Sequence, residues 1–213
     1  MIKRYYIVGV VGAGKSTLRE QLRVRLPFSS TYEEWPEEMA AEVTHAMGSM
    51  SRCSAEEIQE WIFGQLADKN RLILNDSSSL QIIDRSPLDT FVFYPPQEWG
   101  QRAKQMLEAL RMKDSTPLAS GELLFLEGSP REIHKRMDES RGYSVNKIAQ
   151  QQSAFEVLID WLEENCGYKI LRINTRGLPP QEVVNKACAA ISTVGYSPVD
   201  IQSRVEELAS GYS

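Results

Sequence analysis

Short apolar runs alternate with longer stretches in which apolar residues recur at helical spacing, and this alternation predicts strands separated by helices. Tyr5-Tyr6-Ile7-Val8 reads as a buried strand, and Ser16 to Arg25 as a helix carrying Leu18, Leu22 and Leu26 along one side. Phe28 to Tyr32 is a short extended segment. Pro36, with Glu37 and Glu38 suited to a positive helix end, predicts a helix running to about Met47. Gly48-Ser49-Met50-Ser51 breaks it, and Ser54 with Glu57 then forms a capping-box pattern ahead of Ile58, Trp61, Ile62 and Leu66.

Further along, Leu80-Gln81-Ile82-Ile83 is a strand, and Leu88 to Tyr94 a helical segment stopped by Pro95-Pro96. Gln97 to Lys113 is a helix, Leu123 to Leu126 a fully apolar strand, and Pro130 to Asp138 a helix before the polar loop Glu139 to Ser144. Val145 to Glu164 is the longest predicted helix. Tyr168 to Ile173 is the last strand and Pro180 to Ile191 the last firm helix. The segment from Ser192 to Ser213 adds at most a short helix, with no readable docking face.

Strands separated by helices imply a three-layer α/β/α architecture around a parallel central sheet, with ligands at the carboxyl ends of the strands. The 213 residues suit one such domain, residues 1–213, without internal repeat or linker. Hydrophobic residues make up 42% and charged residues 25%, as in ordinary globular proteins. A net charge of −5 with no strongly basic segment argues against a nucleic-acid polymer as ligand. Cys53, Cys166 and Cys188 lack metal-ligand spacing and read as reduced thiols. With neither a signal-like segment nor a long apolar run, the expected location is the cytoplasm, away from membranes.

The candidate chemistry begins at residues 9 to 17, Gly-Val-Val-Gly-Ala-Gly-Lys-Ser-Thr, which fit the phosphate-loop (Walker A) pattern G-x-x-x-x-G-K-[ST]. A phosphate needs several backbone N–H groups turned toward one point, and residues with little side chain let the backbone wrap that closely. Gly12, Ala13 and Gly14 supply that wrap, with Lys15, Ser16 and Thr17 completing the nucleotide-binding set. Lys15 is placed to reach the β- and γ-phosphates, and the Ser16 hydroxyl to ligate Mg²⁺. Asp84-Arg85-Ser86 follows an apolar strand and falls at the same sheet edge. Asp84 suits the metal or its water shell, and Arg85 a phosphoryl group. The competing reading is a strand-end turn with a surface ion pair.

These pieces resemble the deoxynucleoside kinase and thymidylate kinase families of phosphate-loop kinases. The resemblance rests on Gly9 to Thr17, on Asp84-Arg85-Ser86, and on the stretch from Leu124 to Glu132 that leads into a lid at about residues 131–145. It implies lid arginines at Arg136 and Arg141, five residues apart where the family usually has them closer. It also implies a catalytic base just after the second strand, where Tyr32-Glu33-Glu34-Trp35-Pro36 stands. Glu33 and Glu34 both fit, with Glu34 favoured; two acids capping a helix are the plainer alternative. By the same resemblance Gln59 holds the acceptor base, with Trp61 and Trp35 as stacking faces, against a solvated Gln59 and a core Trp61. The Asp84-to-Asp89 spacing also resembles a broader group of kinase-like ATPases.

The expected activity is therefore transfer of the γ-phosphoryl of ATP, with Mg²⁺, to a nucleoside, nucleoside monophosphate or similar small molecule. Lys15, Glu34, Arg85, Arg136 and Arg141 are the expected catalytic residues, and Glu34, Gln59 and Arg85 the acceptor contacts. Ser16 and Asp84 are the expected metal ligands. An antibiotic or other metabolite as acceptor and a nucleotide-dependent regulatory or protein-binding switch are the alternatives. A guanine-specific switch is disfavoured, because Asn146-Lys147-Ile148-Ala149 lacks the aspartate of the guanine-reading motif. A homodimer stays open beside a monomer, as does the purpose of the tail at about residues 193–213.

Overall fold

The computed structural model describes residues 1–34, 55–113, 116–137, 143–193 and 195–211. Five strands, β1 (Lys3–Val8), β2 (Ser29–Tyr32), β3 (Leu80–Asp84), β4 (Glu122–Glu127) and β5 (Leu171–Asn174), form a parallel sheet in the order β2-β3-β1-β4-β5. Consecutive residues of the inner strands are buried: Tyr5 to Val8 in β1, Ile82 and Ile83 in β3, Leu123 to Leu126 in β4. Successive side chains point to opposite faces, so burial of both sets means that helices cover both faces. This is the three-layer α/β/α arrangement expected from the alternation.

Seven α-helices are described: α1 (Lys15–Arg25), α2 (Ala55–Asn75), α3 (Trp99–Lys113), α4 (Pro130–Arg136), α5 (Val145–Glu164), α6 (Pro180–Thr193) and α7 (Ile201–Gly211). The α2 helix, at 21 residues, exceeds α5 at 20, so the longest described helix is not the one expected. It continues beyond Leu66 because Lys69 and Asn70 are buried with polar partners, Asn70 bonding Pro117 O and Ala119 N. Residues after β3 form a 3₁₀ helix, Pro87–Phe93, started by a capping box between Ser86 and Asp89. The last strand begins at Leu171 rather than Tyr168, since the Tyr168 N–H is used to close the end of α5 on Leu162 O. The expected helix from Pro36 to about Met47 lies outside the described residues, as do Cys53 and lid residues 138–142.

The tail has a clear place. Ile201, Val205 and Leu208 are fully buried, and α7 packs along α3. Just before it, Val199 bridges Gly121, and the Tyr196 hydroxyl accepts from Arg4 N at 3.0 Å. No described helix is long and apolar enough to cross a membrane.

The register brings the strand ends into line. Ile7 pairs with Asp84, Tyr32 with Ile83, and Glu127 with Asn174, so the segments after β1, β2, β3 and β5 emerge at one edge. The chain first runs from β1 to the edge strand β2 and back to β3 between them, then crosses to β4 and β5. The switch point where such sheets open a crevice therefore falls beside β1.

If α7 is part of the core, Leu208→Ala should cost about 2–4 kcal/mol of unfolding free energy, as a buried leucine truncation does. The exposed Ser210→Ala should change it by less than about 0.5 kcal/mol. Urea denaturation of both variants measures the difference.

Candidate functional site

The loop after β1 is shaped by its glycines. Gly14 caps α1 in the left-handed region at φ 98°, with nothing within 4 Å of where a Cβ would stand. Gly12, at φ 81°, lies under Met137, whose Cγ and Sδ would be 2.6 Å from an added Cβ. A side chain at Gly12 would have to displace the Met137 side chain, and one at either Gly12 or Gly14 would strain the turn. Lys15 is buried and its Nζ donates to Gly9 O at 2.9 Å and Val10 O at 3.0 Å. Burial, then the nearby Arg85 charge, pulls its pKa down to about 8 against the pull of Asp84, Asp89 and Glu34.

The β1–β3 register sets Asp84 beside the loop, and the Ser16 hydroxyl donates to Asp84 Oδ2 at 2.7 Å. The other carboxylate oxygen, Oδ1, is buried without a hydrogen-bond partner. A hydroxyl beside a carboxylate with one unpaired oxygen suits a hard, oxygen-seeking cation such as Mg²⁺. Among the described residues no group of three or more His, Cys, Asp or Glu forms a metal cluster. That is compatible with a cation that shares its shell with phosphate and water.

Arg85 carries positive φ, 68°, which is uncommon outside glycine and costs on the order of 1 kcal/mol or more. Its backbone N–H extends the sheet by donating to Ile7 O at 3.0 Å. The turned backbone aims the guanidinium at two carboxylates. Nε lies 2.6 Å from Glu34 Oε1, a charge contact whose angle falls short of a hydrogen bond, and Nη1 lies 3.7 Å from Asp89 Oδ2. Glu33 points elsewhere and accepts from Arg19 at 2.8 Å. Of the two candidate acids, Glu34 is therefore the one held in the cleft.

Lys69 is a site residue that sequence reasoning missed. Its buried Nζ donates to Asp84 O at 2.5 Å and to Glu34 O at 3.4 Å, tying the ends of β3 and β2 together. Burial lowers its pKa to about 8, although Asp84, Glu34 and Asp89 resist. The signal was its place in the stripe Ile62, Leu66, Lys69, Ile73, where a lysine takes an apolar position.

Two cavities open at this edge. The larger, about 500 Å³, is lined by the loop from Val11 to Leu18 and also by Arg136 and Met137. Its far wall is Thr175, Leu178, Pro180, Val183 and Val184, an apolar surface after β5 that the sequence did not single out. Arg136 reaches it with Nη2 3.5 Å from Thr175 O and is also 3.8 Å from Glu132. The smaller cavity, about 200 Å³, is mainly apolar, with Ile62, Phe63, Leu66 and Phe93 among its walls. Glu34 and Arg85 line both. Gln59 and Lys69 line only the smaller one of the two, and Gln59 is 4% exposed rather than solvated. Trp61 is half-buried on the same helix, whereas Trp35 and Arg141 lie outside the described residues.

The sequence profile of a family described as AAA domain matches residues 4–179. The chain belongs to this AAA domain family. No curated protein matches this AAA domain chain in sequence. Its fold is shared with solved kinases. A thymidylate kinase from Candida albicans superposes with a TM-score of 0.66 at 14% identity, over 93% of this chain and 98% of that one. The deoxyadenosine kinase from M. mycoides, with dCMP and a flexible dCDP bound, gives 0.63 at 14% identity, over 90% and 100%. A thymidylate kinase from Ehrlichia chaffeensis gives 0.60 at 12% identity, over 89% and 98%. The AAA domain chain thus has the phosphate-loop kinase fold with a nucleotide-type loop.

Asp89 offers a pH test of this charge cluster. Its Oδ1 accepts from Ser86 N at 3.3 Å, and burial pushes its pKa up to about 7 despite Arg85 and Lys15. The folded state then holds the proton more tightly than the unfolded chain, so stability from this group falls as pH rises from about 4 to 7. Asp89→Asn keeps the acceptor and removes the titration. Denaturation across that window should show the parent losing on the order of 3 kcal/mol relative to Asp89→Asn. Parallel curves would mean Asp89 is ionised throughout.

Proposed function

We propose that this chain is an ATP-dependent small-molecule kinase, transferring the γ-phosphoryl of MgATP to a nucleoside, nucleoside monophosphate or similar acceptor. The observation that carries the reading is the wall common to the two cavities, where Glu34 and Arg85 face both. A nucleotide-dependent switch needs only the larger cavity. A second, mainly apolar cavity against the same carboxylate favours transfer between two bound molecules.

In this reading the loop amides and Lys15 hold the triphosphate, and the wall from Thr175 to Val184 takes the base of ATP. Ser16 and Asp84 would hold magnesium, which would supply charge neutralisation at the phosphates. The acceptor hydroxyl lies against Glu34, which takes its proton as the oxygen bonds to the γ-phosphorus. The bond from the γ-phosphorus to the β–γ bridging oxygen breaks, and ADP leaves with the electron pair. Arg85 holds Glu34 in place and faces the transferring group. Lys69 fixes the backbone of Glu34 relative to Asp84. Arg136, and with it Arg141, acts on the phosphoryl group from the lid side.

Turnover of ATP against a panel of nucleosides and nucleoside monophosphates tests the reading. One acceptor class should stimulate turnover, and Lys15→Ala should abolish it with the circular dichroism spectrum unchanged. Glu34→Gln should lower kcat by about 100-fold or more while Glu33→Gln changes it little. The opposite ranking would move the base to Glu33.

Arg136 gives a separate test, because an arginine acting on the transferring phosphoryl is worth far more in rate than in ground-state binding. Arg136→Ala should cut kcat by about 10²-fold or more while the ATP dissociation constant shifts by less than about fivefold. A parent-like rate would reduce Arg136 to a surface partner of Glu132.

A further inference from the structure

The smaller cavity contains a side chain whose orientation is decided by its neighbour. Gln59 Oε1 accepts from Arg102 Nη1 on α3. An arginine has donors only, so the carbonyl oxygen of the amide must face it, and the usual ambiguity between amide oxygen and nitrogen does not arise. Arg102 is itself clamped. Nη1 also donates to Gln105 Oε1 at 3.2 Å, Nη2 donates to Glu98 Oε2 at 3.1 Å, and the guanidinium lies 4.3 Å over the ring of Tyr94. Tyr94 is another wall of the same cavity.

The amide nitrogen is left over. Gln59 Nε2 is buried and has no hydrogen-bond partner, in a residue 4% exposed. Gln59 also edges an outer groove between α2 and α3, where the Glu108 carboxylate stands, yet Nε2 makes no bond there. A buried donor without a partner is unfavourable, and a bound molecule that accepts from it relieves that cost.

We infer that Arg102 is a specificity-positioning residue: it locks Gln59 so that the smaller cavity offers a ligand one buried N–H donor and no amide oxygen, selecting an acceptor ring that presents a carbonyl oxygen there. The inference rests on the proposed kinase reading of this cavity and narrows it. A ring bearing an amino group at that position sets donor against donor and leaves both unpaired, whereas a keto group completes the bond. A free glutamine could turn its amide to suit either ring. This one cannot, because turning it would set an NH₂ against the Arg102 guanidinium.

The test uses two pairs of nucleosides that differ as keto and amino forms of one ring: deoxyuridine with deoxycytidine, and inosine with adenosine. ATP-dependent turnover by the full chain should favour the keto member of a pair in kcat/KM by about tenfold or more. Arg102→Met should shrink that ratio to about threefold or less by raising the amino member. Gln59→Glu keeps an acceptor for Arg102 but offers the cavity no donor, so the preference should reverse; this variant decides the matter if Arg102→Met fails to fold. A parent that prefers the amino members, or a ratio unchanged in Gln59→Glu, overturns the inference while turnover itself upholds the kinase reading. Failure of all four nucleosides and of their 5′-monophosphates to be turned over or bound, with ATP binding intact, removes the acceptor reading and this inference with it.

Discussion

The parallel pairing of β1 with β3 is the constraint on which the carboxyl edge depends. Ile7 stands opposite Asp84, and its carbonyl accepts the Arg85 N–H one step further. That single alignment sets the Ser16 hydroxyl against a carboxylate and forces the chain to turn at Arg85. A shift of the register by one residue would turn Asp84 to the other face of the sheet and send Arg85 away from Glu34. The site is therefore a property of strand alignment before it is a property of any side chain.

Around that alignment the protein gathers five ionisable groups with little access to water. Lys15, Lys69 and Arg85 face Asp84 and Asp89, with Glu34 at the mouth. Burying one such charge alone would be costly, and the mutual attraction of opposite charges makes the cluster tolerable. The pKa values of Lys15 and Lys69 lie lower and that of Asp89 higher than usual, in each case chiefly because burial disfavours the charged form, with Arg85 adding to it at Lys15. Clusters of this kind are characteristic of sites that handle charge in transit.

Local spacing explains what was readable from the chain. The loop from Gly9 to Thr17 and the acid after an apolar strand are short-range patterns, and both stand where their spacing implies. The tail could be read only as a short helix of unreadable docking, because its partner α3 lies some hundred positions earlier, beyond the reach of periodicity. Lys69 was missed and Gln59 left ambiguous for a related reason. A polar residue on a helix is read as solvated unless its tertiary neighbours are known, and here those neighbours are Asp84, Glu34 and Arg102. Glu33 and Glu34 could be separated only once Arg19 and Arg85 had been placed.

The contacts of the tail bear on the order in which the protein can fold. Arg4 at the start of β1 bonds Tyr196, 192 positions away, and Gly121, just before β4, meets Val199. Tyr5, in the central strand, packs edge-on against the Tyr196 ring at 5.6 Å. The β1 strand thus keeps part of its surface uncovered until the Tyr196 segment, nearly two hundred positions later in the chain, has been made. Contacts so distant in sequence are slow to form, so a chain stopped between β3 and Tyr196 leaves that part of β1 open to association with other chains.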